Sequence, residues 1–138
     1  MNNMDLLKEA KIARERAYTP YSHFKVGAAL LTKSGKIYHG CNIENAAYSP
    51  TNCGERTAFF RAVYEGERDF DCIAVVGSPE GVEPDMPTAP CGVCRQVMME
   101  FCEPDTFKVV LGTSPEDCQV YTLKELLPLG FGPANLGK

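Results

Sequence analysis

The stretch Cys53-Gly54-Glu55-Arg56 and the later stretch Pro90-Cys91-Gly92-Val93-Cys94 combine three thiols with one carboxylate. Two cysteines three apart on a helix lie on one face, with about 5–6 Å between their Cβ atoms, so the sulfurs of Cys91 and Cys94 can converge on one ion. Cys53 would supply a third sulfur. Zn²⁺ with three protein ligands keeps a fourth position for water, and Glu55 is the charged acceptor placed to move the protons of that water. These residues predict a hydrolase with one zinc ion per chain.

A redox pair formed by Cys91 and Cys94 is the main alternative for these thiols, but it leaves Cys53 and Glu55 without a role. The chain has seven cysteines, an odd number, and its N-terminal residues do not resemble a signal peptide. Reduced thiols and a cytoplasmic location are therefore expected. Lone buried cysteines are more often packing residues than ligands, and this interpretation is given to the other four: Cys41, Cys72, Cys102 and Cys118.

The chemistry also constrains where the site residues stand on their helices. Residues two apart on a regular helix point about 200° away from each other, so Cys53 has to lie at the helix cap if it and Glu55 are to face one water. Zn²⁺ together with three thiolate ligands carries a net charge of about −1, which weakens the ion as a Lewis acid. Hydrogen bonds from a guanidinium to the sulfurs would offset this charge, and Arg56 and Arg95 both directly follow site residues.

The rest of the chain predicts one mixed sheet with helices on its faces. With 138 residues, 44% of them hydrophobic and 23% charged, the chain fits a single domain over residues 1–138. A helix with its charges outside is predicted at 4–16, and a hairpin with strands at 26–31 and 36–43 follows. The later predicted elements are helices at 53–64, 90–101 and 123–127, strands at 71–77, 107–111 and 120–122, and a proline-rich loop at 78–90. Strands that alternate with helices after a hairpin are typical of a mixed α/β sheet.

Charge and hydropathy argue against two kinds of partner. The formal net charge is −4 and no cluster of lysines and arginines occurs, whereas polynucleotide-binding proteins neutralise phosphates with basic patches. No apolar run approaches the roughly 20 residues that span a bilayer. A free small molecule is therefore the expected substrate, with neither a nucleic acid polymer nor a membrane as partner.

Several stretches resemble the small, single-domain, homotetrameric cytidine deaminases, and the resemblance runs from about residue 6 to residue 136. A ligand, one residue and a glutamate, followed by Pro-Cys-x-x-Cys, is the zinc-deaminase signature, here in its three-cysteine variant. The resemblance implies a three-layer α/β/α sandwich with a single mixed five-stranded sheet, and a homotetramer with shared active sites. The stretches that carry it are Phe24-Lys25-Val26-Gly27-Ala28-Ala29, Asn42-Ile43-Glu44-Asn45-Ala46, Cys53-Gly54-Glu55-Arg56-Thr57-Ala58, Pro90-Cys91-Gly92-Val93-Cys94-Arg95-Gln96 and Phe131-Gly132-Pro133.

The same resemblance implies hydrolytic deamination of cytidine and 2′-deoxycytidine to uridine and 2′-deoxyuridine, with release of ammonia, as in pyrimidine salvage. Zinc would activate a water for attack at C4, and Glu55 would carry protons from that water to N3 and to the departing amine. Arg56 would be the guanidinium that balances the thiolates. Around the substrate the resemblance places Phe24 against the ring, Asn42 and Glu44 at the 3′-hydroxyl, the backbone of Gly54 and Ala89 at the base edge, and Tyr48 and Phe131 at subunit junctions.

Other interpretations stay open on the residues alone. Without the resemblance, pattern predicts Phe24 to be a core residue, and composition predicts Tyr48 and Phe131 to be ordinary packing residues. A polynucleotide deaminase is disfavoured by the acidic balance and the short chain, and a deaminase of blasticidin-type nucleoside antibiotics is disfavoured by the ribose-binding pattern at residues 42–46. A zinc module without enzymatic activity would not need Glu55.

Overall fold

A mixed sheet of five strands forms the centre of the fold in this computed structural model, which describes residues 1–138. β1 pairs antiparallel with β2 and with β3, β3 and β4 run parallel, and β5 returns antiparallel to β4. The spatial order is β2-β1-β3-β4-β5. The strands are β1 (Phe24–Thr32), β2 (Ile37–Cys41), β3 (Phe70–Pro79), β4 (Lys108–Leu111) and β5 (Gln119–Thr122).

Helices cover both faces of this sheet. Successive residues of a strand point to opposite faces. Ala29 and Leu31 of β1 therefore share a core with α1, whereas Ala28 and Leu30 share the opposite core with α2 and α3. The three-layer α/β/α sandwich with one mixed five-stranded sheet is thus confirmed. The helices are α1 (Asn3–Arg14), α2 (Gly54–Tyr64), α3 (Gly92–Phe101) and α4 (Leu123–Leu126), followed by a 3₁₀ turn (Pro133–Leu136).

The core beneath α2 and α3 is the larger of the two, with 15 buried residues against 9 on the α1 side. Phe59 of α2 lies at its centre, with ring centroids 5.2 Å from Phe70 and 6.0 Å from Phe107. Full burial of each such ring stabilises the fold by roughly 1.5–3 kcal/mol. This core fixes α2 and α3 on one side of the sheet, and the predicted metal ligands lie at the N-termini of these two helices.

Two glycines let helices approach the sheet at backbone distance. A Cβ atom at Gly40 of β2 would lie 2.2 Å from the carbonyl oxygen of Gly54 and 2.4 Å from the nitrogen of Ala58, both in α2. A Cβ atom at Gly27 of β1 would lie 2.1 Å from the carbonyl oxygen of Ala10 in α1. No side chain fits at these separations, so both close contacts require glycine.

The predicted elements all occur, with ends that differ from the prediction by at most two residues, and α1 and α3 show the physical reasons. The pattern of α1 predicts charges on its outside, but Arg14 is buried because its guanidinium donates hydrogen bonds to backbone carbonyls. Helix α3 begins at Gly92 instead of Pro90, because Cys91 keeps an extended backbone, with φ −68° and ψ 168°, and serves as the N-cap.

Candidate active site

Three cysteine sulfurs converge where the N-termini of α2 and α3 meet. Cys53 is the N-cap of α2 and Cys91 the N-cap of α3, while Cys94 lies in the first turn of α3. The Sγ atoms of Cys53 and Cys91 are 3.7 Å apart, and those of Cys91 and Cys94 are 3.5 Å apart. Tetrahedral Zn²⁺ with Zn–S bonds of about 2.3 Å needs sulfurs about 3.8 Å apart, so the cluster fits this ion.

The position of each sulfur follows from its place at a helix end. Cys53 has extended backbone angles, φ −73° and ψ 157°, as the constraint on Cys53 and Glu55 predicts. Neither cap cysteine uses its side chain to cap its own helix, so both sulfurs remain available to an ion. The positive ends of two helix dipoles meet at the cluster, which favours the thiolate forms that bind metal.

Glu55 is buried beside the sulfurs, with 4% of its surface exposed. Burial, reinforced by the nearby Cys53 thiolate, raises the pKa of Glu55 to about 7. A carboxyl group that titrates near neutrality can both accept and release a proton at working pH, which is what a proton shuttle requires.

Arg56 contacts the cluster directly. Its Nη2 donates to the Sγ of Cys53 at 3.3 Å. The pKa of Cys53 is lowered to about 5, most strongly by a hydrogen bond from Cys94 and less strongly by one from Arg56. Arg95, the other guanidinium considered from the sequence, donates instead to the carbonyl oxygens of Pro90 at 2.8 Å and Leu126 at 2.7 Å. Only Arg56 is therefore placed to balance thiolate charge.

A cleft of about 170 Å³ opens beside this cluster. It brings together four of the predicted substrate and catalytic positions and two of the predicted metal ligands with residues that the sequence did not single out. Ligand pockets usually measure about 300–1,000 Å³, so this cleft on its own is small for a nucleoside-sized molecule. Its lining residues are Val26, Asn42, Thr51, Asn52, Cys53, Gly54, Glu55, Thr88, Ala89 and Cys91.

Asn42 and Glu44 lie in different cavities. Asn42 lines the cleft, where its Oδ1 accepts from the Val26 N–H and its Nδ2 donates to the Phe24 carbonyl oxygen, both at 2.9 Å. Glu44 lines an adjacent cavity of about 310 Å³ and accepts from the N–H groups of Tyr21 and Ser22. The Ser22 hydroxyl also donates to this carboxylate and lowers its pKa. Thr51 lines both cavities, which are therefore neighbours.

The three predicted aromatic residues lie outside the cleft lining. Phe24 is 38% exposed, and its ring stands over Gly77 next to Thr88, a residue of the cleft wall. Tyr48 is 74% exposed and Phe131 is 58% exposed. None of the three belongs to a buried core, so the packing interpretation of these rings is not supported within one chain.

Sequence reasoning missed several residues of the cleft wall, of which Asn52 has the most connections. Its backbone pairs with Ile43, and its Nδ2 donates to the Thr57 hydroxyl at 3.1 Å. That hydroxyl donates to the Cys53 carbonyl oxygen at 3.0 Å. Adjacency to Cys53 is the one signal in the sequence that marks Asn52, and no comparable signal marks Thr51 or Thr88.

Three thiols and a buried carboxyl group at helix N-termini of an α/β/α sandwich define the class of zinc-dependent hydrolases. A sequence profile described as the cytidine and deoxycytidylate deaminase zinc-binding region matches residues 1–113. A cytidine deaminase from Sporosarcina psychrophila is 53% identical over 131 residues, which cover 95% of this chain and 92% of that protein. The chain belongs to the cytidine and deoxycytidylate deaminase family.

Two further comparisons bear on substrate and fold. The crystal structure of cytidine deaminase from Burkholderia pseudomallei superposes with a TM-score of 0.86 at 52% identity, covering 95% of this chain and 100% of that one. A blasticidin-S deaminase from Bacillus cereus is 35% identical over 130 residues, 91% of each chain. The sequence identity to the cytidine deaminases of S. psychrophila and B. pseudomallei is thus markedly higher than the identity to this blasticidin-S deaminase.

Proposed function

We propose that this protein deaminates cytidine and 2′-deoxycytidine hydrolytically, forming uridine and 2′-deoxyuridine and releasing ammonia in pyrimidine salvage. The observation that carries this proposal is the buried Glu55 carboxyl group beside the Cys53, Cys91 and Cys94 sulfurs. The identity of more than half to a cytidine deaminase over 95% of the chain supports the choice of substrate.

In the proposed mechanism Cys53, Cys91 and Cys94 hold Zn²⁺, and Glu55 moves the protons. When bound, zinc supplies a Lewis acid that makes water nucleophilic at neutral pH. A Glu55 oxygen accepts one proton from the attacking water as the C4–O bond forms and delivers it to N3. It then accepts the second proton from the new hydroxyl group on C4 and delivers it to the amine as the C4–N bond breaks and C4=O forms. Arg56 donates to Cys53 throughout and reduces the negative charge of the ligand set.

The substrate contacts remain proposals that particular hydrogen-bonding capacities support. Asn42 uses one N–H of its amide within the chain, so the second N–H can donate to a ribose hydroxyl. Glu44 would accept from the same 3′-hydroxyl across the boundary of the two cavities. The Ala89 N–H makes no hydrogen bond within the chain and lines the cleft, so it can donate to the base edge together with the backbone at Gly54.

The proposed location is the cytoplasm, because thiols that must bind metal have to stay reduced. All seven cysteines are unpaired in the structure. Among the helices, none has the length and apolar character that crossing a membrane requires. The net charge of −4 supports free nucleosides over nucleic acid polymers as substrates.

Release of ammonia is the test of this function. The protein should release ammonia from cytidine and 2′-deoxycytidine, with negligible release from blasticidin S and from single-stranded DNA. Preferred turnover of blasticidin S would replace the proposal with the antibiotic deaminase, and turnover of DNA would replace it with a polynucleotide deaminase. If the zinc-loaded protein released no ammonia from any of these compounds, it would be a zinc-binding module without deaminase activity.

Arg56→Ala should lower the rate at neutral pH by about 10- to 100-fold while zinc stays bound, because the Cys53 thiolate loses its guanidinium donor. The rate should recover in part at higher pH, where water ionises more easily. Arg56→Gln should be milder, since an amide still donates a hydrogen bond. Kinetics over a pH series, with metal content measured on the same samples, check this result.

Arg61→Ala removes an exposed arginine from the same helix and is the matched control for Arg56. An Arg56→Ala protein that retains zinc and reproduces the parent's whole pH profile would show that thiolate charge balance is unimportant here. Loss of zinc from this variant would instead make Arg56 a stabiliser of the ligand set.

A homotetramer whose active sites are shared between subunits is the proposed assembly. The cleft within one chain is only about 170 Å³, so residues of a neighbouring subunit would have to complete a pocket that encloses a nucleoside. Tyr48, which lines the cavity next to the cleft, and Phe131 are both mostly exposed, and aromatic residues of this kind usually become covered in an interface.

Light scattering at assay concentration should therefore give the mass of four chains, and Tyr48→Ala should raise the KM for cytidine. Tyr64→Ala, at a ring that is 88% exposed at the end of α2, is the control for loss of an exposed tyrosine. A monomer with full activity would contradict the shared site and return Tyr48 and Phe131 to ordinary surface residues.

A further inference from the structure

A buried arginine outside the cleft has no role in the proposed chemistry. Arg14, the last residue of α1, is 5% exposed. Its Nη1 donates to the Glu15 carboxylate at 2.7 Å, whereas its Nε is buried without a partner. A buried guanidinium destabilises a fold unless its N–H groups are well paired. The remaining contacts of Arg14 are therefore informative.

The Nη2 of Arg14 donates to the carbonyl oxygens of Ser78 and Pro79, the last two residues of β3, and of Val82 in the turn that follows. The distances are 3.3 Å to Ser78, 2.9 Å to Pro79 and 3.1 Å to Val82. Within this turn the Ser78 hydroxyl also donates to the Val82 carbonyl at 2.6 Å, and Gly81 has a φ of +78°. The turn that ends β3 is thus folded around the guanidinium.

The chain that follows this turn has few other attachments. Between Val82 and Pro90 no backbone N–H makes a hydrogen bond, and the one side-chain bond joins the Thr88 hydroxyl to the Gly77 carbonyl at 3.3 Å. Met86, midway along, is 65% exposed. This loop nevertheless brings Thr88 and Ala89 to the wall of the cleft.

We propose that Arg14 is a positioning residue for substrate binding, which holds the turn at 78–82 and thereby fixes the loop that carries Thr88 and Ala89. The inference rests on the proposed function for its substrate. Arg14 itself has a fixed base, because its backbone nitrogen would lie 2.3 Å from a Cβ atom at Gly27 of β1. The guanidinium therefore ties the end of α1 and the end of β3 to Val82, where the loop without regular structure begins.

The metal centre does not depend on this turn. Cys91 is held as the N-cap of α3, and Arg95 ties the carbonyl of Pro90 to that helix. Without the guanidinium the loop would become ordered only when substrate binds, and this ordering costs conformational entropy. The cost is the same in the enzyme–substrate complex and in the transition state. Such a loss of uniform binding raises KM and leaves kcat nearly unchanged.

Arg14→Met tests this role, because methionine fills the aliphatic volume but cannot donate. We expect a KM for cytidine about tenfold higher, kcat within about twofold of the parent, and one zinc ion per chain. Glu-C protease should also cut the folded variant faster after Glu80, at the freed turn. Arg14→Lys, which keeps the charge and some donors, should restore most of both properties.

Two further variants complete the design. Ser78→Ala removes the hydroxyl that closes the same turn and should change KM and cleavage in the same direction, to a smaller extent. Arg16→Met removes an exposed arginine just beyond α1 and should match the parent in both.

The proposal is overturned if Arg14→Met is folded and zinc-loaded with the parent's KM and cleavage rate, or if it loses zinc and kcat together. If Arg14→Met does not fold, Arg14→Lys and Ser78→Ala decide by the same two readouts. If the parent does not turn over cytidine, the proposed function fails. The comparison of cleavage rates then decides by itself whether Arg14 holds the loop.

Discussion

Glu55→Gln should retain zinc and the fold but lose about ten-thousandfold in kcat for cytidine. An amide can form hydrogen bonds in the same place, but it cannot carry protons from water to N3 and to the amine. Burial raises the pKa of Glu55 from 4.5 to about 7, so the carboxyl group costs the folded state stability as pH rises through this interval, and the full cost applies above pH 7; the uncharged amide has no such cost. The melting temperature of metal-free Glu55→Gln at pH 8 should therefore be no lower than that of the metal-free parent.

Single-turnover kinetics with zinc analysis on the same sample measure this loss. Glu65→Gln makes the same chemical change at the exposed C-cap of α2 and should leave kcat unaltered. If Glu55→Gln kept more than a few per cent of the parent rate, some other group would have to be the base, and the buried carboxyl group would have a structural role.

Cys91→Ala and Cys94→Ala should each reduce zinc from one ion per chain to nearly none and abolish turnover. Two sulfurs do not complete the three-ligand set, and the free energy of metal binding also stabilises the folded state. The two variants should therefore also unfold at lower temperature than the parent. Cys94 should show the larger drop, because it is 1% exposed and belongs to the larger core.

Cys72→Ala and Cys102→Ala are matched controls for these changes. Burial raises the pKa of Cys72 to about 11 and also raises that of Cys102, so neither thiol is disposed to bind metal. Both controls should keep one zinc ion. Freshly purified, active parent protein that contains almost no zinc would refute the metal centre, as would full zinc in Cys91→Ala.

The sequence was most informative where chemistry constrained geometry. The spacing of Cys91 and Cys94 predicted one shared helix face, and the pairing of Cys53 with Glu55 predicted a cap position that the structure confirms. Both inferences depend on local backbone geometry, which a few neighbouring residues determine. The alternation of strands and helices likewise predicted the sandwich.

Contacts between distant segments were less predictable. The pattern of α1 predicted Arg14 at the surface. Helical periodicity carries no information on the Ser78 carbonyl oxygen, 64 residues further along the chain, to which Arg14 donates a hydrogen bond. The structure likewise places Glu44 in a cavity next to the cleft rather than in it, although the resemblance placed Asn42 and Glu44 together at the 3′-hydroxyl. β2 ends at Cys41, and Ile43 forms isolated bridges to Tyr18 and Asn52 rather than continuing the strand.

The backbone contact at Gly40 bears on how this enzyme can be altered by evolution or in the laboratory. Helix α2, which begins at the catalytic cluster, rests on β2 through main-chain atoms that no substitution elsewhere can change in size. Laboratory libraries that vary core side chains around Phe59 should therefore yield enzymes of altered thermal tolerance whose active-site geometry persists. At position 40, by contrast, a single added methyl group would separate the helix from the strand. Active descendants should therefore keep glycine at this position.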